Sequence, residues 1–259
     1  MSRNTASGTV ASCAEDGFLT VSRKLFVGGC PRSGTTIMAR LLNLHEQVAL
    51  GEERYGLRFV DGFPPNAFDY QRFFDFRDGD AAFDREHESY GVLQSLEPRF
   101  RQAKYVGDKI PKIYEHMDRT TEMFPGATFI LMVRNLYDVA CSYEARAADV
   151  TDTSWPQDFD SGVAVSEWND CLYAIKEWQR PGLVVVPFED LFLAGQGLEE
   201  IFSALGLDVT DKIEQAFRAL VDVCRDLDVN RRRFLGAEKT QKLLRTGHFV
   251  DYDTVLRLA

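Results

Sequence analysis

Eight consecutive residues, Gly29-Cys30-Pro31-Arg32-Ser33-Gly34-Thr35-Thr36, carry the densest chemistry in the chain. Glycines let a backbone turn tightly, so successive N–H groups can aim at one anion, and a helix starting near Thr35 adds its positive dipole end. The hydroxyls of Ser33, Thr35 and Thr36 and the guanidinium of Arg32 supply further donors. Before this stretch, Leu25-Phe26-Val27 reads as a short apolar strand. After it, Ile37, Leu41 and Leu44 recur on one helical face. Strand, glycine turn and helix form the context a phosphate loop requires. One position departs from the nucleoside-triphosphate pattern, because Thr35 stands where a lysine follows the second glycine. That lysine reaches the terminal phosphates, so a donor with fewer phosphates at this end fits better than a triphosphate.

A second anion site is legible further along. Arg134 directly follows the apolar run Ala127 to Val133, so it emerges at the carboxyl edge of a buried strand, where open α/β sheets bind ligands. Ser142 lies eight residues on, about two helical turns, and Arg134, Asp138, Ser142 and Arg146 can follow one helix face. Arginine and serine together suit a phosphate; a plain ion pair on a solvated face is the competing reading. Two further charged spots end apolar segments: Glu52-Glu53 after Val48 to Leu50, and Lys109 after Tyr105-Val106. Consecutive side chains diverge, so one glutamate of the pair is expected to face the cleft. Lys112 is a rival cation, and His116 falls inside a helix expected over Tyr114 to Phe124.

These residues need a scaffold that brings strand ends together. Strands at 25–27, 48–50, 105–106, 127–133 and 183–186 alternate with helical segments, including one expected over Val163 to Trp178. That alternation implies right-handed crossovers and a central parallel sheet flanked by helices, a P-loop-type three-layer α/β domain. Asn135 suits an N-cap, with Asp138 at the reciprocal capping position. Residues 54–101 are aromatic-rich and irregular, broken by Pro64-Pro65 and Asp78-Gly79-Asp80. The chain from Asp190 onward reads as mainly helical, with breaks at Gly206 and Gly236. The division expected is a flexible, partly ordered N-terminal tail over 1–22 and a single domain over 23–259.

Composition narrows the classes. A net charge of −10 weighs against nucleic acid as a partner, since that binding rests on neutralising phosphates. No apolar stretch approaches a membrane span, and Met1 to Thr20 lacks a basic start and apolar core, so a cytoplasmic protein is expected. Cys13, Cys30, Cys141, Cys171 and Cys224 are sparse and odd in number, which points to a reducing compartment rather than a disulfide framework or a zinc site.

Taken in order, Cys30-Pro31-Arg32-Ser33-Gly34-Thr35-Thr36, Gly51-Glu52-Glu53, Gly107-Asp108-Lys109-Ile110-Pro111, Leu131-Met132-Val133-Arg134 through Ser142, and Val186-Pro187-Phe188-Glu189-Asp190-Leu191 resemble the nucleotide-dependent sulfotransferase family. The likeness is greatest to the tyrosylprotein and carbohydrate branches and their bacterial relatives, and runs from about Lys24 to Gly206. Phe188 stands where that family usually has tyrosine. The resemblance implies a 3′-phosphoadenosine 5′-phosphosulfate donor, released as adenosine 3′,5′-bisphosphate, with no metal. It places Pro31, Arg32, Ser33, Gly34, Thr35 and Thr36 on the 5′-phosphosulfate and Arg134 and Ser142 on the 3′-phosphate. It assigns the base to Glu53, and charge stabilisation at the leaving oxygen to Lys109 with Arg32.

The implied acceptor is a hydroxyl of a carbohydrate, a tyrosyl residue or a small metabolite. Two other classes stay open: a small-molecule kinase, against which Thr35 counts, and a nucleotide-binding protein without catalysis. The rings of Phe59, Phe63, Phe68, Tyr70, Phe73, Phe74, Phe76, Phe83 and Tyr90 could line an acceptor lid, but packing of an inserted helical segment is the simpler expectation. Arg231-Arg232-Arg233 reads as a solvated helix face that could also approach an anion.

Overall fold

The computed structural model describes residues 22–259 except 57, 153 and 231–234. The N-terminal stretch through 21 and the Arg231-Arg232-Arg233 run lie outside the described residues. Five strands, β1 (Arg23–Gly29), β2 (Val48–Glu52), β3 (Tyr105–Lys109), β4 (Thr128–Val133) and β5 (Leu183–Pro187), stand in the order β2-β3-β1-β4-β5, each pair parallel. The chain therefore leaves β1 in one direction to build β2 and β3, then returns to build β4 and β5 on the other side. Such a reversal opens a crevice at the carboxyl ends of the central strands. The ends of β1, β3 and β4 are adjacent there, and they lead into the phosphate loop, Lys109 and Arg134 respectively.

Helix α1 (Thr35–Leu42) follows β1. Three short helices, α2 (Tyr70–Phe74), α3 (Glu88–Ser95) and α4 (Glu97–Phe100), lie between β2 and β3. Helix α5 (Met117–Met123) precedes β4, and α6 (Leu136–Ala147) and α7 (Ser161–Glu177) join β4 to β5. After β5 come α8 (Leu198–Ala204), α9 (Asp211–Asn230), α10 (Ala237–Thr246) and α11 (Phe249–Leu256).

Strand alternation sorts the core into two layers. Phe26, Ala49, Val106, Phe129, Leu131 and Val133 face one side, packed with Tyr143, Trp168 and the rings inserted between β2 and β3. Leu25, Val27, Val48, Leu50, Ile130 and Met132 face the other, packed with α1 and with Phe192, Phe202 and Phe217. With both faces covered, the strands read as continuous apolar runs rather than alternating ones. They also extend past those runs, because the parallel ladder continues into polar residues: Arg23 and Lys24 at one end of β1, Glu52, Asp108 and Lys109 at the other end of β2 and β3.

The structure departs from the sequence expectation in three places. The single helix over Tyr114 to Phe124 is instead a 3₁₀ turn, Pro111–His116, followed by α5, and Lys112 and His116 hold non-helical backbone angles. The segment expected to be irregular contains α2, α3 and α4, and several of its rings enter the core. Phe26 of β1 sits 5.4 Å from Phe63 and 5.5 Å from Phe68, and Tyr55 meets Phe68 and Phe73 edge-on. Packing, the blander reading of those aromatics, holds for Phe63, Phe68 and Phe73, which are buried. The C-terminal region begins with one turn of π-helix, Glu189–Ala194, and Gly195 and Gly197 as well as Gly206 break it at positive φ.

Candidate active site

The loop after β1 is built by steric exclusion. A Cβ on Gly29 would lie 2.2 Å from the Met132 carbonyl oxygen of β4, and one on Gly34 would meet the Phe188 ring at 2.6 Å; both residues also have positive φ. Gly34 caps α1, whose first residue is Thr35. Ser33 N–H donates to Cys30 O at 3.1 Å and closes the turn. The Ser33 hydroxyl is fully buried and has no hydrogen-bond partner. A buried hydroxyl left unpaired costs about 1–3 kcal/mol, so this donor in a glycine cradle fits an anion. Arg32 adopts φ 70°, a left-handed conformation that costs a non-glycine residue roughly 1–2 kcal/mol.

The second candidate anion site adjoins the first. Arg32 Nε donates to Ser142 Oγ at 3.0 Å across 110 positions of sequence. Ser142 itself is buried on α6. Arg134, buried just beyond β4, stacks its guanidinium 4.0 Å from the Phe188 ring centroid and donates through Nη2 to Asp138 Oδ2 at 3.2 Å. Its main chain is pinned by the Trp168 indole N–H, 2.8 Å from Arg134 O. Asn135 caps α6 as its position implies, accepting from Asp138 N–H at 2.9 Å. The reciprocal half differs: the Asn135 backbone N–H goes to Glu189 Oε1 at 3.0 Å, and Asp138 accepts from the Asn135 side-chain amide. Glu189 after β5 thus ties the start of α6 to a neighbouring strand. Arg146 does not join this group. It pairs with Asp152 at 2.7 Å and stacks 4.6 Å from Trp155.

The two glutamates at the end of β2 separate cleanly. Glu52 is 2% exposed, held by Arg40 at 2.7 and 3.1 Å and by the Ser89 hydroxyl of α3 at 2.9 Å. Its charge is matched inside the fold by these partners. Glu53 is about one-third exposed, and its Oε1 lies 2.5 Å from the Nζ of buried Lys109. Glu53 also has positive φ, 59°. Among the described residues only Arg32, Glu53 and Asn66 combine a side chain with positive φ, and two of those three are candidate site residues. Strain of this kind persists where the surroundings over-determine it, and it gathers at functional sites.

The rival cation Lys112 is engaged elsewhere, 2.8 Å from Glu115 and 3.3 Å from Glu167. His116 packs edge-on against Phe59, ring centroids 5.4 Å apart. Two residues carried no role in the sequence reading. Phe188 touches both anion sites, lying against Gly34 and beneath Arg134; its sequence signal was only its place in the segment after β5. Asp108, fully buried beside Lys109, accepts the main-chain N–H groups of Arg54 and Tyr55, both at 3.0 Å. Burial pushes its carboxyl up to about 7, against the pull of those two peptide donors.

Fold and site together define a P-loop-type α/β protein with two adjoining candidate anion sites beside a carboxylate–ammonium pair. A model of the Sulfotransferase family matches residues 24–211, and the chain belongs to that family of transferases. It is 27% identical over 160 residues to protein-tyrosine sulfotransferase 1 of Danio rerio, covering 60% of this chain and 41% of that one. Identity to protein-tyrosine sulfotransferase 2 of Gallus gallus is 24% over 200 residues, 73% of this chain and 52% of that one. The chain thus spans about half the length of these relatives. Among solved structures, the sulfotransferase domain from the curacin biosynthetic pathway aligns with a TM-score of 0.53 at 14% identity, covering 87% of this chain and 97% of that one. The sulfotransferase domain of the Synechococcus PCC 7002 olefin synthase aligns with a TM-score of 0.50 at 19% identity, over 87% and 94%. At such identities the structural likeness shows the fold.

Proposed function

We propose that this protein transfers a sulfuryl group from 3′-phosphoadenosine 5′-phosphosulfate to an acceptor hydroxyl, with Glu53 as the base. The observation that carries the reading is the contact between Glu53 and Lys109 at the mouth of a phosphate loop whose own arginine reaches Ser142. The donor supplies an activated sulfuryl group, and the protein's part is to bind, orient and move one proton. The loop N–H groups, the Ser33 hydroxyl and the start of α1 suit a 5′-phosphate. Arg134 and Ser142 suit a 3′-phosphate, which distinguishes this donor from adenylates lacking it. Glu53, partly open to solvent, takes the acceptor proton. Lys109 and Arg32 meet the negative charge that gathers on the leaving oxygen. Carbohydrate, tyrosyl and small-metabolite hydroxyls are the acceptor classes to screen.

A magnesium-dependent kinase would need the loop lysine that Thr35 replaces. Thermal denaturation with adenosine 3′,5′-bisphosphate, with ATP and magnesium, and with AMP separates the two. The bisphosphate is expected to raise Tm while AMP does little; stabilisation by ATP–magnesium alone would sink the proposal. Transfer of ³⁵S from labelled donor to an acceptor or to water then distinguishes an enzyme from a nucleotide-binding protein without turnover.

A further inference from the structure

The base proposed above stands in a conformation it would not choose. Glu53 has φ 59°, and its side chain reaches Lys109 only because the chain reverses at this residue rather than continuing along β2. Something must hold that reversal. The Glu53 N–H donates to Lys109 O at 2.8 Å, which extends the β2–β3 ladder by one step. The next two N–H groups have no ladder partner, since the chain has left the sheet. Both go to one side chain: Arg54 N–H to Asp108 Oδ1 and Tyr55 N–H to Asp108 Oδ2, each at 3.0 Å.

Asp108 suits this task by register and space. It lies opposite Gly51 on β2, one residue before Lys109, so the two side chains leave opposite faces of β3. Lys109 reaches the Glu53 carboxylate while Asp108 reaches the main chain just beyond it. A Cβ on Gly51 would sit 2.8 Å from Asp108 Oδ1, so the glycine leaves room for the carboxylate. The far side of the turn is anchored independently. The Arg54 guanidinium is fully buried, donates to Phe73 O and Asp75 O at 2.9 Å, and lies 4.5 Å from the Tyr55 ring.

We infer that Asp108 is a positioning residue whose carboxylate straps the turn after β2 and so aims Glu53 at Lys109 and the acceptor. This inference rests on Glu53 being the base. A carboxylate retained in a fully buried place is costly for folding at neutral pH, which is consistent with a positional role rather than a stabilising one. Without the strap, two buried peptide donors go unpaired and Glu53 is released toward ordinary backbone angles.

The test is a double-mutant cycle of Asp108→Asn and Glu53→Gln. It is read as transfer of ³⁵S from labelled donor to water, a tyrosyl peptide, a glucoside and an alkanol supplied together as acceptors. Bisphosphate affinity is measured alongside by titration calorimetry. Asp108→Asn alone is expected to lower turnover about ten- to hundredfold through misplacement of the base, with bisphosphate affinity within about twofold of the parent. In the Glu53→Gln background it should lower turnover no further. Equal losses in both backgrounds would show that Asp108 acts apart from Glu53, and would overturn the inference. Full activity of Glu53→Gln would instead remove the base assignment, and the inference with it.

A crystal structure of Asp108→Asn with the bisphosphate gives a readout free of turnover. Glu53 should leave positive φ while the phosphate loop stays in place; an unmoved Glu53 overturns the strap even if activity falls. If the asparagine variant does not fold, Asp108→Ser, which is smaller, carries the same expectations.

Discussion

The two halves of the site are made in different ways. The half proposed to hold the anions is mostly local. Gly29 to Thr36 is one continuous segment, and Arg134 to Ser142 is another, each pairing a strand end with a helix start. The half proposed to transfer a proton is assembled: Glu53 follows β2, while Lys109 and Asp108 end β3. Only the sheet order brings them together. A local anion cradle is held by backbone sterics and helix dipoles, which tolerate change in distant parts of the chain. An assembled carboxylate–ammonium pair depends on a buried ammonium and one strained turn, so its geometry should be the easier to lose.

Perturbations on each side should therefore separate binding from turnover. The largest effect is expected for Glu53→Gln: turnover should fall by about 10²- to 10⁴-fold, the usual contribution of a positioned base, with bisphosphate affinity nearly unchanged. Parallel loss of affinity would erase the contrast between the halves. Next, Arg134→Ala removes a charge-assisted donor, a loss of about 1.5–3 kcal/mol or roughly ten- to hundredfold in bisphosphate affinity. Turnover at saturating donor should change far less, and calorimetry beside steady-state kinetics reads the split.

The third perturbation concerns pH. The folded-state value of Asp108, about 7, lies above its ordinary 3.8, so the native state keeps this proton longer than the unfolded chain. Native stability carried by the neutral carboxyl is thus present below pH 4 and is lost as pH rises toward 7. The stability difference between Asp108→Asn and the parent should shift toward the asparagine by on the order of 4 kcal/mol across that window, read by urea melts. A pH-independent difference would mean Asp108 titrates normally.

The smallest functional effect is expected at Glu52. Arg40→Ala leaves this buried carboxylate without its bidentate partner, which should lower stability by about 1–3 kcal/mol in urea melts. Turnover per folded molecule should stay within about twofold of the parent. A large fall in turnover would return Glu52 to the cleft.

Much of this molecule was legible before its folding was known, and the misses share a cause. The phosphate loop could be read because glycine spacing, hydroxyls and a strand-to-helix change are all short-range features. Arg134 could be placed because a buried parallel strand announces its own end. Helical spacing alone groups Arg146 with Arg134, but the loop after α6 offers it Asp152 and Trp155 instead. The division between Glu52 and Glu53 depended on Arg40 and Ser89, one from α1 and the other from α3.

By itself the sequence determined the succession of five strands, the strand-to-helix turn after β1 and the packing of Phe63, Phe68 and Phe73, because each follows from periodicity or turn chemistry within a few residues. Only the tertiary structure decided which carboxylate faces Lys109, that Arg32 meets Ser142, and that Asp108 accepts the N–H groups of the turn after β2. Those contacts join residues 56, 110 and 53–54 positions apart. Their partners are chosen by the stacking order of parallel strands, which no local pattern records.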